Sequence, residues 1–229
     1  SIITYLMTKI LPPEKVKTFS IAFSEKSFDE SSYARQVARH FGTDHHEQEC
    51  TPQALLKLLP EVQNFLDEPL GDASIIPTYA LSKFARQHVT VALGGDGGDE
   101  LFAGYPTFIA DKYAKYYRAV PGLIRNHLIE PLAGKLPVND DNISFDFKIK
   151  QFVKGAGLKE AHRHFIWLGS FSPLELEKLF GVKQVVDVYD NIKHHLKIAS
   201  NASSGNQLLY LYNKLYLNED ILAKVDRAS

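Results

Sequence analysis

The sequence predicts an α/β fold: a parallel sheet with helices on both faces, followed by a mainly helical C-terminal part. Three observations carry this. Strand-like and helix-like runs alternate through the first half of the chain, the pattern of a parallel sheet whose crossovers are helices. Strand signals fade after Tyr117. A short apolar run, residues 89–93, feeds straight into Gly94-Gly95-Asp96-Gly97-Gly98-Asp99-Glu100. In open α/β sheets ligands sit beyond the carboxyl ends of the strands, the place this turn takes.

The elements follow in order. Residues 2–7 read as a helix already under way. Residues 18–23 form a short β-rich run. Residues 29–41 make a helix, with Tyr33, Ala34, Val37, Ala38 and Phe41 at helical spacing and Gly42 as C-cap. Residues 44–50 are a more polar strand, and Thr51-Pro52 opens the next helix as N-cap and first turn. A helix over 74–87 leads into a buried strand over 89–93. Beyond Tyr117, residues 121–132, 145–153, 158–168, 173–180 and 184–198 favour helix, and Ser172-Pro173-Leu174-Glu175 is a capping box. Residues 139–142 and 203–206 read as loops. We therefore expect an α/β part over 1–118 and a helical part over 119–229, both cut from a longer protein.

Composition narrows the function. The 26 basic and 27 acidic side chains sum to −1, which points to no nucleic-acid or membrane surface. No apolar stretch approaches the ~18 residues of a membrane span. One cysteine, Cys50, forms no internal disulfide and fits a reducing cytosol.

The glycine–acid turn carries the chemistry. Four glycines in five positions leave the backbone bare, so another molecule can reach its N–H groups. Three carboxylates in the same stretch would repel a naked polyphosphate, but not one carrying Mg²⁺, which takes oxygen ligands from both sides. Asp96 and Asp99 are three apart, so both can serve one pocket. Glu100 reads as a helix N-terminal acid favoured by the dipole. The histidines point elsewhere. His45 and His46 are neighbours on a strand and face opposite ways; His162 and His164 sit on different sides of a helix. No transition-metal site is expected. Lys224, Asp226 and Arg227 read either as a solvated cluster or as a cation reaching phosphate. Asp67 and Glu68 read as surface acids or as a pocket edge for an amino-acid substrate. Tyr113, Tyr116 and Tyr117 read as core and helix packing.

The stretch Val89-Thr90-Val91-Ala92-Leu93-Gly94-Gly95-Asp96-Gly97-Gly98-Asp99-Glu100-Leu101-Phe102-Ala103-Gly104-Tyr105-Pro106 closely resembles the signature of the synthetase domain of glutamine-hydrolysing asparagine synthetases. Phe28-Asp29-Glu30-Ser31, Gly42-Thr43-Asp44-His45-His46-Glu47, Asp67-Glu68-Pro69 with Ile76-Pro77-Thr78-Tyr79, and residues 220–229 agree in order. The resemblance implies a PP-loop ATP pyrophosphatase fold. It also implies an enzyme that uses ATP and Mg²⁺ to convert the side chain of aspartate to β-aspartyl-AMP. Ammonia, delivered from glutamine by an N-terminal glutaminase domain, then gives asparagine in the cytoplasm. It leaves a homodimer open. By alignment, Ile21 contacts the adenine through its backbone, Gly94 and Gly95 line the nucleotide and pyrophosphate, Asp96 serves near the adenylate and the amine, and Asp99 ligates Mg²⁺.

Two departures stand out. The family usually has serine where this chain has Gly94, so one hydrogen bond to phosphate, about 0.5–1.5 kcal/mol net, is missing. The PP-loop itself, Ser-Gly-Gly-x-Asp-Ser, is absent, and Ser1 aligns with its end. Two other readings stay open: a related adenylating enzyme that closes a ring, as β-lactam synthetases do, and a folded scaffold inactive by itself.

Overall fold

The computed structural model describes residues 1–68, 70–169, 171–181 and 189–229, the side chain of Pro173 excepted. In chain order the elements are α1 (Ile2–Ile10), β1 (Lys17–Phe23), α2 (Ser31–Phe41), β2 (Asp44–Cys50), α3 (Pro52–Phe65), α4 (Ile75–Ala85), α5 (Gly98–Phe102) and α6 (Pro106–Ala119). There follow α7 (Gly122–Ile124), a π-helical turn (Arg125–Ile129), α8 (Glu130–Gly134), α9 (Phe145–Ala156), α10 (Glu160–Trp167) and α11 (Pro173–Phe180). The chain closes with α12 (Asp190–Ile198), α13 (Ser204–Leu211), a π-helix (Tyr212–Ile221) and α14 (Leu222–Ala228). Among the described residues the structure is thus mostly helical, with one parallel pair of strands. It divides into two compact units, residues 1–96 with 217–229 and residues 97–216.

In the first unit β1 and β2 run parallel from Lys17↔Asp44 to Phe23↔Cys50. Parallel neighbours need a crossover, and α2 supplies it. Asp29 ties the end of β1 to the start of α2, its carboxylate accepting from the N–H groups of Phe23 and Ser31, each at 3.2 Å. Gly42 ends α2 at φ 69°, a conformation that favours glycine. Thr51 Oγ1 accepts from the Ala54 N–H at 3.2 Å and caps α3 as expected. Val62 of α3, Ile75 of α4 and Ala228 of α14 form this unit's apolar cluster, so the chain's last helix completes a core begun by its first hundred residues.

The second unit is helical. Ala114 and Tyr117 of α6, Ala156 of α9 and Trp167 of α10 form one cluster; Ala161, Ile192, Leu208 and Leu211 form another. The capping box at Ser172 is present in full: Ser172 Oγ accepts from the Glu175 N–H at 3.3 Å, and the Glu175 carboxylate accepts from the Ser172 N–H at 2.7 Å. Residues 118 and 119, where fading strand signals suggested a boundary, lie at the end of α6 in this unit.

Four expectations are corrected or limited. Residues 203–206 are not a loop: Ser203 caps α13, which begins at Ser204. Residues 89–93 are not a buried strand, with Val91 77% and Leu93 68% exposed. An apolar run becomes a strand only when a neighbour takes its N–H and C=O groups, and among the described residues β1 and β2 pair only with each other. Of the three tyrosines on α6, Tyr117 is in the core, while Tyr113 and Tyr116 are exposed. The helix expected over 184–198 is seen as α12, residues 184–188 lying outside the described residues.

Gly155 lies against Trp167: a Cβ there would stand 2.5 Å from Trp167 Nε1 and 3.1 Å from the Arg163 carbonyl oxygen. Gly155→Ala is expected to cost about 1–3 kcal/mol through overpacking, despite alanine's better helix propensity. Gly134→Ala, with open space around it, is expected to stabilise by about 0.4–1 kcal/mol. Urea unfolding followed by the fluorescence of Trp167, the single tryptophan, checks both.

Candidate functional site

A cavity of about 590 Å³ runs along β1, walled by Thr18, Ser20 and Ile21, by Tyr33 and Val37 of α2, and by Thr78 of α4. Ile21, the expected adenine neighbour, is therefore on a cavity wall. His45 lies in the same lining, its Nδ1 2.9 Å from Thr18 Oγ1 and its Nε2 3.3 Å from Ser20 Oγ. His46 turns the other way, stacking on Phe19 at a centroid distance of 5.3 Å and tilted against His88 at 4.3 Å. The two histidines thus separate as strand alternation requires. No group of three His, Cys, Asp or Glu side chains suited to a metal exists among the described residues.

Along the chain, the boundary of the first unit falls within the glycine–acid turn, after Asp96. Gly94, Gly95 and Asp96 close the first stretch of one; Asp99 and Glu100 open the other. All three residues of the first group are exposed and lie outside the cavity lining. Asp96 folds back over Gly94: a Cβ at 94 would stand 2.5 Å from Asp96 Oδ2. The space that a serine would take is used by the carboxylate of Asp96, so this chain's departure at Gly94 and the pose of Asp96 belong together.

In the second unit Gly97 enters α5 at φ 90° and Ala103 leaves it at φ 56°. An alanine in the left-handed region is strained by roughly 1–2 kcal/mol. Asp99 is exposed and lies across Gly104, where a Cβ would collide with its Oδ1. Glu100 lies in the first turn of α5, as the reading of a helix N-terminal acid expects, but it is not solvated. It is 2% exposed, and its carboxylate accepts a hydrogen bond from the Tyr105 hydroxyl. Burial, and then the Glu100 carboxylate, push the Tyr105 hydroxyl well above the usual phenol range.

Sequence reasoning missed a second charged cluster, in the first unit. Lys224 is not solvated: it is 8% exposed and donates to Asp72 Oδ2 at 2.9 Å and Ser74 Oγ at 2.8 Å. Burial raises the Asp72 carboxyl, but the hydrogen bonds from Lys224 and Ser74 outweigh it and hold the group below its ordinary value. Burial and the Asp72 charge push Asp220 the other way. Arg227 pairs with Asp67, which is a surface acid in this arrangement, and Asp226 is exposed. The only local trace of this cluster was Asp72 two residues before Ser74, a turn whose Ser74 N–H donates to Asp72 Oδ1 at 2.8 Å.

Lys224→Met is expected to destabilise by about 3 kcal/mol, because Asp72 loses its partner while half-buried. Asp72 is lowered in the folded state, so its contribution is present above its unfolded value of 3.8 and is lost as pH falls through the folded value. That part of the acid limb should vanish in the variant, as chemical unfolding at stepped pH would show. Gly104→Ala is expected to drive Asp99 off its seat and cost about 1–3 kcal/mol, measurable by the same unfolding at pH 7.

Residues 1–229 match the asparagine synthase family. Asparagine synthetase (glutamine-hydrolysing) 1 of Bacillus subtilis is 34% identical over 226 residues, covering 93% of this chain and 32% of that protein. A Methanocaldococcus jannaschii protein, provisionally named as a second such synthetase, is 37% identical over 141 residues, 62% of this chain and 26% of that protein. Amidase chyE of Penicillium rubens is 33% identical over 113 residues, 48% of this chain and 17% of that protein. The chain spans about a quarter to a third of the length of the two synthetase relatives. With a match along its whole length, the chain belongs to the asparagine synthase family.

Proposed function

We propose that this chain is the ATP-dependent amide-forming part of an asparagine synthetase. The family match over residues 1–229 carries the reading, and the glutamine-hydrolysing name of the Bacillus subtilis relative supports glutamine as the ammonia source. In this reading the aspartate side-chain carboxylate attacks the α-phosphorus of ATP. Pyrophosphate leaves and β-aspartyl-AMP forms. Ammonia from a glutaminase domain of the same protein then adds to the activated carbonyl, AMP departs, and asparagine results, in the cytoplasm. The reading also keeps a parallel sheet with helices on both faces, of which β1 and β2 are one pair.

The residues take these roles. The Ile21 backbone borders the adenine from the cavity wall; about 590 Å³ is an ordinary size for a small-molecule site. Gly94 and Gly95, exposed and without side chains, let phosphate oxygens approach backbone N–H groups. Asp96 is the acid beside the adenylate and the incoming amine. Asp99 is the Mg²⁺ ligand. The described residues form no all-protein metal cage, and Mg²⁺ needs none when one or two carboxylates and substrate phosphates hold it. The exposed Asp99 carboxylate fits that mode. When bound, Mg²⁺ supplies positive charge against the departing pyrophosphate.

Full-length protein given aspartate, glutamine, ATP and Mg²⁺ is expected to yield asparagine, AMP and pyrophosphate. Release of ADP and phosphate instead would reject adenylation. Turnover with AMP but no asparagine would favour the ring-closing alternative. Asp99→Asn and Asp96→Asn are each expected to lower kcat by about 10²-fold or more, the scale of losing one charge-stabilising group.

A further inference from the structure

The second unit contains a buried polar chain for which the proposed chemistry has no use. His164 of α10 is fully buried. Its Nδ1 lies 2.9 Å from the Tyr212 hydroxyl, which lies 2.7 Å from Thr107 Oγ1. Its Nε2 is 3.3 Å from Asp111 Oδ1 without hydrogen-bond geometry. Asp111 is already neutralised by Arg163, whose Nε donates to it at 2.6 Å. One proton arrangement suits all of these contacts: Thr107 donates to Tyr212, Tyr212 donates to His164 Nδ1, and the proton on Nε2 faces Asp111. In the other direction the Tyr212 ring packs 5.6 Å from the ring of Tyr105, and Tyr105 donates to Glu100.

We propose that His164 is a positioning residue for the acid turn, holding residues 98–105 in place through Tyr212 and Tyr105. The hold needs a neutral ring, because Tyr212 donates to Nδ1 only when that nitrogen carries a lone pair. Protonation would force Nδ1 to donate, turn the Tyr212 hydroxyl round, and place a second cation beside Arg163. The charged and titratable groups facing His164 are Asp111 from α6, Arg163 from α10 and Tyr212 from the π-helix. Burial pushes the ring down to about 4; Asp111 opposes this and Arg163 adds to it. The folded ring thus binds its proton more weakly than the unfolded one at 6.5, so the hold is complete above about 6.5 and is lost as pH falls toward 4. This inference is independent of which acid the enzyme activates.

Hydrogen exchange on the full chain tests it at two amides of the turn: Leu101 N–H, which donates to the Gly97 carbonyl, and Gly104 N–H, which donates to the Asp99 carbonyl, both at 3.0 Å. With intrinsic rates corrected, their protection is expected to fall between pH 6.5 and 4, while that of β1 holds. Tyr212→Phe removes the hydroxyl and keeps the ring; it should lower protection at both amides about two- to tenfold at pH 7, the scale of one hydrogen bond. His164→Asn keeps a group at the Nδ1 position but cannot titrate, so its protection should stay near wild type and show no fall. Unchanged protection in Tyr212→Phe, a fall that persists in His164→Asn, or an equal loss across residues 97–216 would each overturn the proposal. If His164→Asn does not fold, Tyr212→Phe still decides.

Discussion

A carboxylate taken out of water must be hydrogen-bonded, and the whole acid turn is arranged around that demand at Glu100. Tyr105, just past the end of α5, answers it. That bond closes residues 100–105 into a loop too short to relax freely. Around it Gly97 enters α5 at positive φ, Ala103 takes the left-handed region, and Gly104 has no side chain where Asp99 lies across it. The exposed acid and the buried acid are adjacent in sequence, yet opposite in environment. The buried one shapes the turn, and the exposed one is left for solvent, metal or ligand.

The first unit solves a different problem. Two parallel strands present little apolar surface, and β2 is polar along most of its length. Its stability is drawn instead from helices. Val62, Ile75 and Ala228 pack together, and Lys224 adds a nearly buried ion pair to the turn before α4. Such a pair contributes modestly to net stability, since desolvation offsets much of the attraction, but it strongly disfavours arrangements that leave either charge alone. It therefore selects where α14 docks more than it strengthens the docking.

Much of the architecture was legible because its signals are local. Strand β2 lies where its residues placed it. The caps at Thr51 and Ser172 and the Gly42 stop each rest on a few neighbouring residues. The strand expected over 89–93 was illegible for the converse reason: a strand is a relation to a partner, and an apolar run cannot show whether one is present. The tyrosines of α6 show the same limit. Composition marks all three as packing residues, while the helix turns only Tyr117 inward.

The sequence by itself determined the family, the glycine–acid turn and the candidate residues Ile21, Gly94, Gly95, Asp96 and Asp99, because each is a matter of residue type in fixed order. Tertiary structure alone decided that Glu100 is buried under Tyr105, that Asp96 fills the space beside Gly94, and that Lys224 meets Asp72 across 152 residues of chain. It also assembled His164, Tyr212, Asp111 and Arg163 into one network. The physical reason is common to all four: burial and long-range hydrogen bonding depend on which surfaces meet, and no local pattern of residues encodes that meeting.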